Sequence, residues 1–149
     1  LVPFGKIIDT DETCPTLTYN RIGRHQSKLV RTRIASNKSP WLMNTEVGEI
    51  YTVPISHGEG RFIAGTQLLQ NLADNGQIIT QYVDLSSNPT DKIQYNPNGS
   101  DWAVEGLISP DGRVLGKMGH SERIGSGLYR NVPGRFDMQM FESAVRYFK

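Results

Sequence analysis

The sequence is poor in cysteine. Cys14 is the single cysteine among 149 residues, so the chain cannot form an internal disulfide. Disulfide-free chains are typical of reducing compartments, and we therefore expect a cytoplasmic protein. The N-terminal segment, residues 1–5, also has neither the basic nor the apolar region of a secretory signal peptide.

Long apolar runs and a strong charge bias are also missing. No run approaches the roughly 18 apolar residues that a membrane-spanning helix needs. Sixteen basic and 15 acidic residues give a formal charge of +1. We therefore expect neither a membrane nor a nucleic-acid partner. The hydrophobic fraction of 37% is typical of a globular domain.

The usual metal and nucleotide motifs are missing as well. The three histidines have no metal-ligand spacing, so the sequence predicts no metal site. There is no Walker A sequence and no dinucleotide-binding Gly-x-Gly-x-x-Gly pattern. We therefore expect no cofactor bound to this chain.

The pattern of apolar residues and turn residues predicts an α/β domain with a mixed sheet. Loops are expected over 1–16 and 84–101, and a short helix after the N-cap Ser39. A C-terminal helix is expected to be capped by Asp137. The remaining predicted elements are strands at 17–20, 28–35, 49–55 and 77–83, a helix at 66–74, and an antiparallel hairpin of 103–108 with 113–118.

Two segments share one design, in which an apolar strand ends at a histidine flanked by glycine. They are residues 55–61, which contain His57, and residues 118–123, which contain His120. Ligands of open α/β sheets bind beyond the strand ends. Both histidines are therefore candidate site residues.

His120 and Glu122 are two residues apart, a spacing that can bring both side chains to one side of an extended segment. The carboxylate could then accept a hydrogen bond from one ring nitrogen and leave the other free as a general base. This is the base and its orienting group in a nucleophilic triad. A surface turn with a simple ion pair is the alternative.

Ser56, His57 and Gly58 allow two interpretations: a side chain that polarises a ligand, or a tight turn whose backbone faces one. Glu59 and Arg61 are expected to form a local ion pair. His25 lies in a polar loop and is expected to be solvated.

Cys14 is a poor candidate for a nucleophile. It follows Asp11 and Glu12, which would raise the pKa of its thiol. The Pro15 that follows has no backbone N–H for an oxyanion hole. We interpret Cys14 as structural.

Three motifs, at residues 53–62, 96–100 and 112–123, resemble the glutaminase domain of phosphoribosylformylglycinamidine synthases, which are class I glutamine amidotransferases. The match is to the large single-chain form, with the separate small glutaminase subunit as the near alternative. The resemblance implies a flavodoxin-like α/β fold. It also implies a Cys-His-Glu triad that hydrolyses glutamine and supplies ammonia for purine biosynthesis.

By this resemblance, His120 is the catalytic histidine, Glu122 its partner, and Ser56, His57 and Gly58 line the glutamine pocket. The ammonia would pass to a synthetase region, where ATP and Mg²⁺ support the conversion of formylglycinamide ribonucleotide to its amidine. That region, upstream in the same polypeptide, is the expected partner.

The chain departs from the family pattern in two ways. The nucleophile elbow and the first strands would precede Leu1, so residues 1–149 form a partial domain that we expect to be inactive alone. Ser121 stands where many relatives have proline. The rival hypothesis is a non-catalytic interaction domain in which the histidine loops are structural.

Overall fold

A computed structural model describes residues 14–149. The predicted loop over 1–16 therefore lies largely outside the described residues. This part of the chain contains seven strands, two α-helices and two short 3-10 helices. The strands and α-helices are β1 (Thr16–Tyr19), β2 (Gln26–Ile34), β3 (Ile50–His57), β4 (Glu59–Ile63), α1 (Thr66–Asp74), β5 (Ile78–Tyr82), β6 (Val104–Ile108), β7 (Leu115–Lys117) and α2 (Met140–Phe148).

The strands form two antiparallel units. One is a five-stranded sheet of order β3-β2-β5-β6-β7, and the other is a two-stranded ribbon of β1 with β4. The α/β class and the antiparallel hairpin are confirmed. Every pair between the described strands is antiparallel, so the mixed character predicted for the sheet is absent from this part of the molecule.

Apolar side chains on the two faces of the sheet form two cores. The larger core includes Ile34, Val53 and Ile79, each with no exposed surface, and the C-terminal Met138 and Met140 pack against it. The smaller core joins α1 to the sheet through Leu69 and Leu72. Burial on both faces explains why β5 and β6 are buried along their whole length.

Several local predictions are confirmed. The helix predicted at 66–74 has those bounds, because its leucines share one face and Asn75-Gly76 ends it. Ser39 caps a 3-10 turn at Pro40–Leu42 by accepting the backbone N–H of Trp41. Pro54 does lie on an edge strand, as its missing N–H requires, although β3 continues to His57.

The predicted cap of the C-terminal helix is wrong. The helix begins at Met140 and its N-cap is Gln139, which has φ of 52° and makes no side-chain cap hydrogen bond. Asp137 Oδ1 instead accepts the backbone N–H of Gln139 at 2.7 Å. The carboxylate thus fixes a turn before the helix, because the left-handed residue shifts the helix start.

Among residues 14–149, every helix is too short or too polar to cross a lipid bilayer.

Candidate functional site

The loop after β7 carries His120 to the edge of the sheet beside β3. The backbone N–H of His120 donates to the carbonyl oxygen of Pro54 at 2.9 Å. Pro54 is three residues before His57 in the same strand. The two histidine segments, 63 positions apart in the sequence, therefore meet at one place.

His120 and Glu122 contact each other as predicted. Nδ1 of His120 lies 2.8 Å from Oε1 of Glu122. Burial acts to raise the pKa of Glu122, but hydrogen bonds from its own backbone N–H and from His120 outweigh this and place the pKa below its ordinary value. An ionised carboxylate can only accept, so Nδ1 carries a proton, and in the neutral ring Nε2 is the free acceptor.

The free nitrogen of His120 is not solvated. The Nε2 atom is buried and has no hydrogen-bond partner among the described residues. Buried polar atoms are nearly always paired in native proteins. This position is therefore where a reacting group or substrate would be expected.

The ring of His57 stacks on the ring of His120. Their centroids lie 4.9 Å apart and their planes differ by 5°. Burial lowers the pKa of His57. Positive charge on Arg123, and on His120 or His25 when they are protonated, lowers this pKa further. His57 is therefore neutral at neutral pH. Its Nε2 atom is also buried without a hydrogen-bond partner in the described chain.

Asn20, which the sequence did not single out, holds the turn after β3. Its side-chain amide donates to the carbonyl oxygen of His57 at 2.6 Å, and its backbone N–H donates to the carbonyl oxygen of Gly58 at 3.0 Å. His25 is not simply solvated, because its Nε2 lies 3.0 Å from Ser56 Oγ. The three predicted pocket residues therefore lie at the end of β3 and in the single-residue bend after it, and the loop after β1 holds this segment.

A buried ion pair supports the His120 loop from beneath. The side chains of Lys117 and Glu105 are 7% and 0% exposed, and Nζ lies 3.1 Å from Oε1. The carboxylate accepts the Gly119 N–H at 2.5 Å and the Thr80 hydroxyl at 2.5 Å. Lys117 donates to the Gly119 carbonyl at 3.2 Å. In the sequence, the signal for this pair is Glu105, the one charged residue in the otherwise apolar predicted strand 103–108.

Ser121, the departure from the family pattern, has its own contacts. It is buried, and its hydroxyl lies 3.1 Å from Lys117 Nζ and 3.6 Å from Met138 Sδ. His120 and Glu122 still meet on either side of it. The serine thus anchors the turn through its side chain.

The Asn-rich motif at 96–100 packs against β4. Asn96 Oδ1 accepts two backbone N–H groups, from Gly99 at 3.1 Å and Ser100 at 3.0 Å. Ser100 Oγ then accepts the N–H of Phe62 in β4. The expected ion pair of Glu59 with Arg61 is wrong, since no such pair lies within 4.0 Å and Arg61 Nε donates to Gly99 O.

Cys14 lies at the far end of the ribbon from the histidines. Thr16, two residues later, pairs with Ile63, whereas Tyr19 pairs with Glu59 next to Gly58. At about 3.3 Å per strand residue, the ribbon separates these ends by roughly 10 Å. In the part of the chain that the structure describes, no group of three or more His, Cys, Asp or Glu side chains is arranged to hold a metal ion.

Residues 1–148 match the family model of the CobB/CobQ-like glutamine amidotransferase domain. The chain belongs to that family. This assignment fits the arrangement of a histidine, its carboxylate and a buried free nitrogen at a strand end.

Curated relatives refine the assignment. The chain is 39% identical over 113 residues to the phosphoribosylformylglycinamidine synthase subunit PurQ of Natronomonas pharaonis, covering 76% of this chain and 50% of the relative. It is 33% identical over 131 residues to PurQ of Methanosarcina mazei, covering 88% and 54%. The chain thus spans about half the length of these relatives. Because both are separate subunits, the single-chain form stays a prediction.

A solved structure supports the fold. The structure of PurLQS from Thermotoga maritima superimposes with a TM-score of 0.66 at 26% sequence identity, over 91% of this chain and 54% of that chain. The chain therefore has an amidotransferase-like fold over the part that superimposes.

Proposed function

We propose that this chain supplies the histidine and the glutamate of a glutaminase site in phosphoribosylformylglycinamidine synthase. The observation that carries the proposal is the pairing of His120 Nδ1 with Glu122 at 2.8 Å while Nε2 stays buried and unpaired. The two curated relatives described above, both PurQ subunits of that synthase, support the proposal.

The proposed reaction uses His120 as a proton carrier. Its Nε2 takes the proton of a cysteine thiol, and the thiolate sulfur attacks the side-chain amide carbon of glutamine. The resulting imidazolium returns the proton to the departing nitrogen, which leaves as ammonia. His120 then takes a proton from water, whose oxygen attacks the thioester carbon. The C–S bond breaks, glutamate is released, and the imidazolium returns the proton to the cysteine sulfur. Glu122 holds the ring in the required tautomer and stabilises its positive charge.

The nucleophile of this proposal is a cysteine upstream of Leu1 in the complete protein, and the chain alone is expected to release no ammonia. Two observations support this. Cys14 lies at the opposite end of the β1–β4 ribbon from Gly58, and this chain corresponds to about half of its relatives.

Glutamine is the proposed substrate. Ser56, His57 and Gly58 would line its pocket through their backbone, at the end of β3 and in the bend that Asn20 holds. The proposed partner is a synthetase, which would use ATP and Mg²⁺ to convert formylglycinamide ribonucleotide to its amidine. The PurLQS likeness supports such an assembly. We place the protein in the cytoplasm on the ground of its single cysteine.

The test compares the complete protein with its His120→Ala variant, each with synthetase, formylglycinamide ribonucleotide and ATP. Glutamate release from glutamine is measured at saturation. We expect the variant to lose roughly 10²-fold or more in turnover. The control is Glu142→Gln, a substitution at an exposed position in the first turn of α2, which should not affect turnover.

A folded His120→Ala variant with nearly full turnover would contradict the proposal. It would favour the non-catalytic interaction domain. Phe141 and Phe148 on α2, which are 55% and 53% exposed, would then be the first surface to examine for a partner.

A further inference from the structure

The side chain of His57 has no part in the reaction as proposed above, yet it lies directly against the proposed base. The two imidazole planes are parallel within 5° and their centroids are 4.9 Å apart. The main chain at each histidine is held by a different contact, since Asn20 donates to His57 O and His120 N donates to Pro54 O. The framework of the sheet therefore brings the two rings together.

We infer that His57 is a positioning residue whose ring holds the ring of His120 in place and lies as a neutral face against the imidazolium formed during turnover. This inference rests on the proposed glutaminase function. It assigns the side chain a role separate from that of the backbone at Ser56 to Gly58.

The hydrogen bond to Glu122 leaves one motion of His120 open. A bond through Nδ1 alone still permits the ring to tilt about that contact, and such a tilt would move Nε2 away from a thiol. A parallel aromatic plane blocks the tilt on one face. Misplacement of a reacting group by about 1 Å can cost 10²-fold in rate.

The charge state of His57 suits this role. Burial and the neighbouring His120, His25 and Arg123 lower its pKa, while Glu105 opposes them. A neutral ring next to a cationic one attracts it through its π face, whereas two cationic rings would repel. The proton taken from the thiol is therefore held by His120, and not by His57, until it passes to the departing nitrogen.

Two variants separate stacking from nitrogen chemistry. His57→Phe keeps an aromatic plane without ring nitrogens, and His57→Ala removes the plane while both leave the backbone of the pocket intact. The complete protein is assayed with its synthetase for glutamate release, and the melting temperature of each variant is recorded. We expect His57→Ala to lower kcat about three- to tenfold with KM for glutamine nearly unchanged, and His57→Phe to restore most of kcat.

Three results would overturn the inference. Equal losses in both variants with a raised KM would mean that His57 Nε2 contacts the substrate. Unchanged kcat in His57→Ala would mean that the stack has no role in turnover. A fall in kcat that follows the melting temperature in both variants would mean a structural role only. The His120→Ala variant is assayed beside them. If it kept its activity, the proposed glutaminase function itself would be wrong, and this outcome differs from the three results above.

Discussion

The backbone N–H of His120 donates to the carbonyl oxygen of Pro54, and this one bond joins the loop after β7 to the edge strand β3. It needs no particular side chain at either position. The imidazole is thereby placed by the main chain, and its direction is left to its contacts with Glu122 and His57. The predictions below separate these contributions.

Replacing Glu122 with glutamine should lower kcat for glutamate release by about 10²-fold. The amide oxygen can still accept the Nδ1–H of His120, but the negative charge that stabilises the imidazolium is lost. KM for glutamine should change little, because the pocket residues 56–58 lie in another segment. Steady-state assays of the complete protein would check this.

Glu142→Gln is the matched control for that substitution, since it removes an exposed carboxylate in α2 and should leave kcat unchanged. If Glu122→Gln behaved like this control, the contact at 2.8 Å would be a surface ion pair without a role in turnover.

Glu105→Gln should lower the free energy of unfolding by about 3–5 kcal/mol. The substitution leaves the buried ammonium of Lys117 without its counter-charge and weakens the acceptor for Gly119 N–H. The double variant Glu105→Gln, Lys117→Met should regain most of this loss, because no unpaired charge remains buried. Urea denaturation of the wild type, Glu105→Gln, Lys117→Met and the double variant checks the coupling, and simple additivity of the two single effects would argue against it.

Gly60→Ala should be destabilising by about 1–3 kcal/mol. A Cβ at this position would overlap Asn98 Nδ2 and would lie 2.8 Å from Met118 Cε. The added methyl group would therefore push the 96–100 motif away from β4. Gly125→Ala is the control, because a Cβ there meets no atom within 4 Å. Equal melting temperatures for both variants would show that the 96–100 motif can shift to accommodate the methyl group without loss of stability.

Acid should destabilise the protein partly through His57. Its pKa is lowered by folding, so the stability it contributes is fully present above the ordinary value of 6.5 and is lost as pH falls through the lower value of the folded state. His57→Phe cannot take up this proton. The melting temperature of the wild type should therefore fall more between pH 7.5 and pH 5.5 than that of the variant, and parallel falls would show no such contribution.

Local signals in the sequence predict much of the fold. The strand at 77–83 and the hairpin are read from apolar runs and from the Ser109–Gly112 turn, in which Gly112 N–H donates to Ser109 O and Gly112 has φ of +73°. The contact of His120 with Glu122 is similarly local, because two residues separate them. Such features depend on neighbours in the chain, which a sequence displays directly.

Contacts between distant segments could not be predicted in this way. The stack of His57 on His120 and the support of Gly119 by Glu105 depend on which strands lie side by side. The wrong cap at Asp137 has a related cause. Gln139 adopts a left-handed conformation where Met138 and Met140 pack into the larger core, so tertiary packing decides where the helix starts.

The backbone groups on the outer edge of β3 affect how the protein behaves in concentrated solution. Unpaired backbone groups on an edge strand invite the strands of other molecules. Here the Pro54 carbonyl is taken by His120, and the Thr52 N–H donates to the Arg135 carbonyl at 2.7 Å. The segments that carry His120 and Arg135 thus occupy backbone groups of β3 to which a strand of another molecule could otherwise bind.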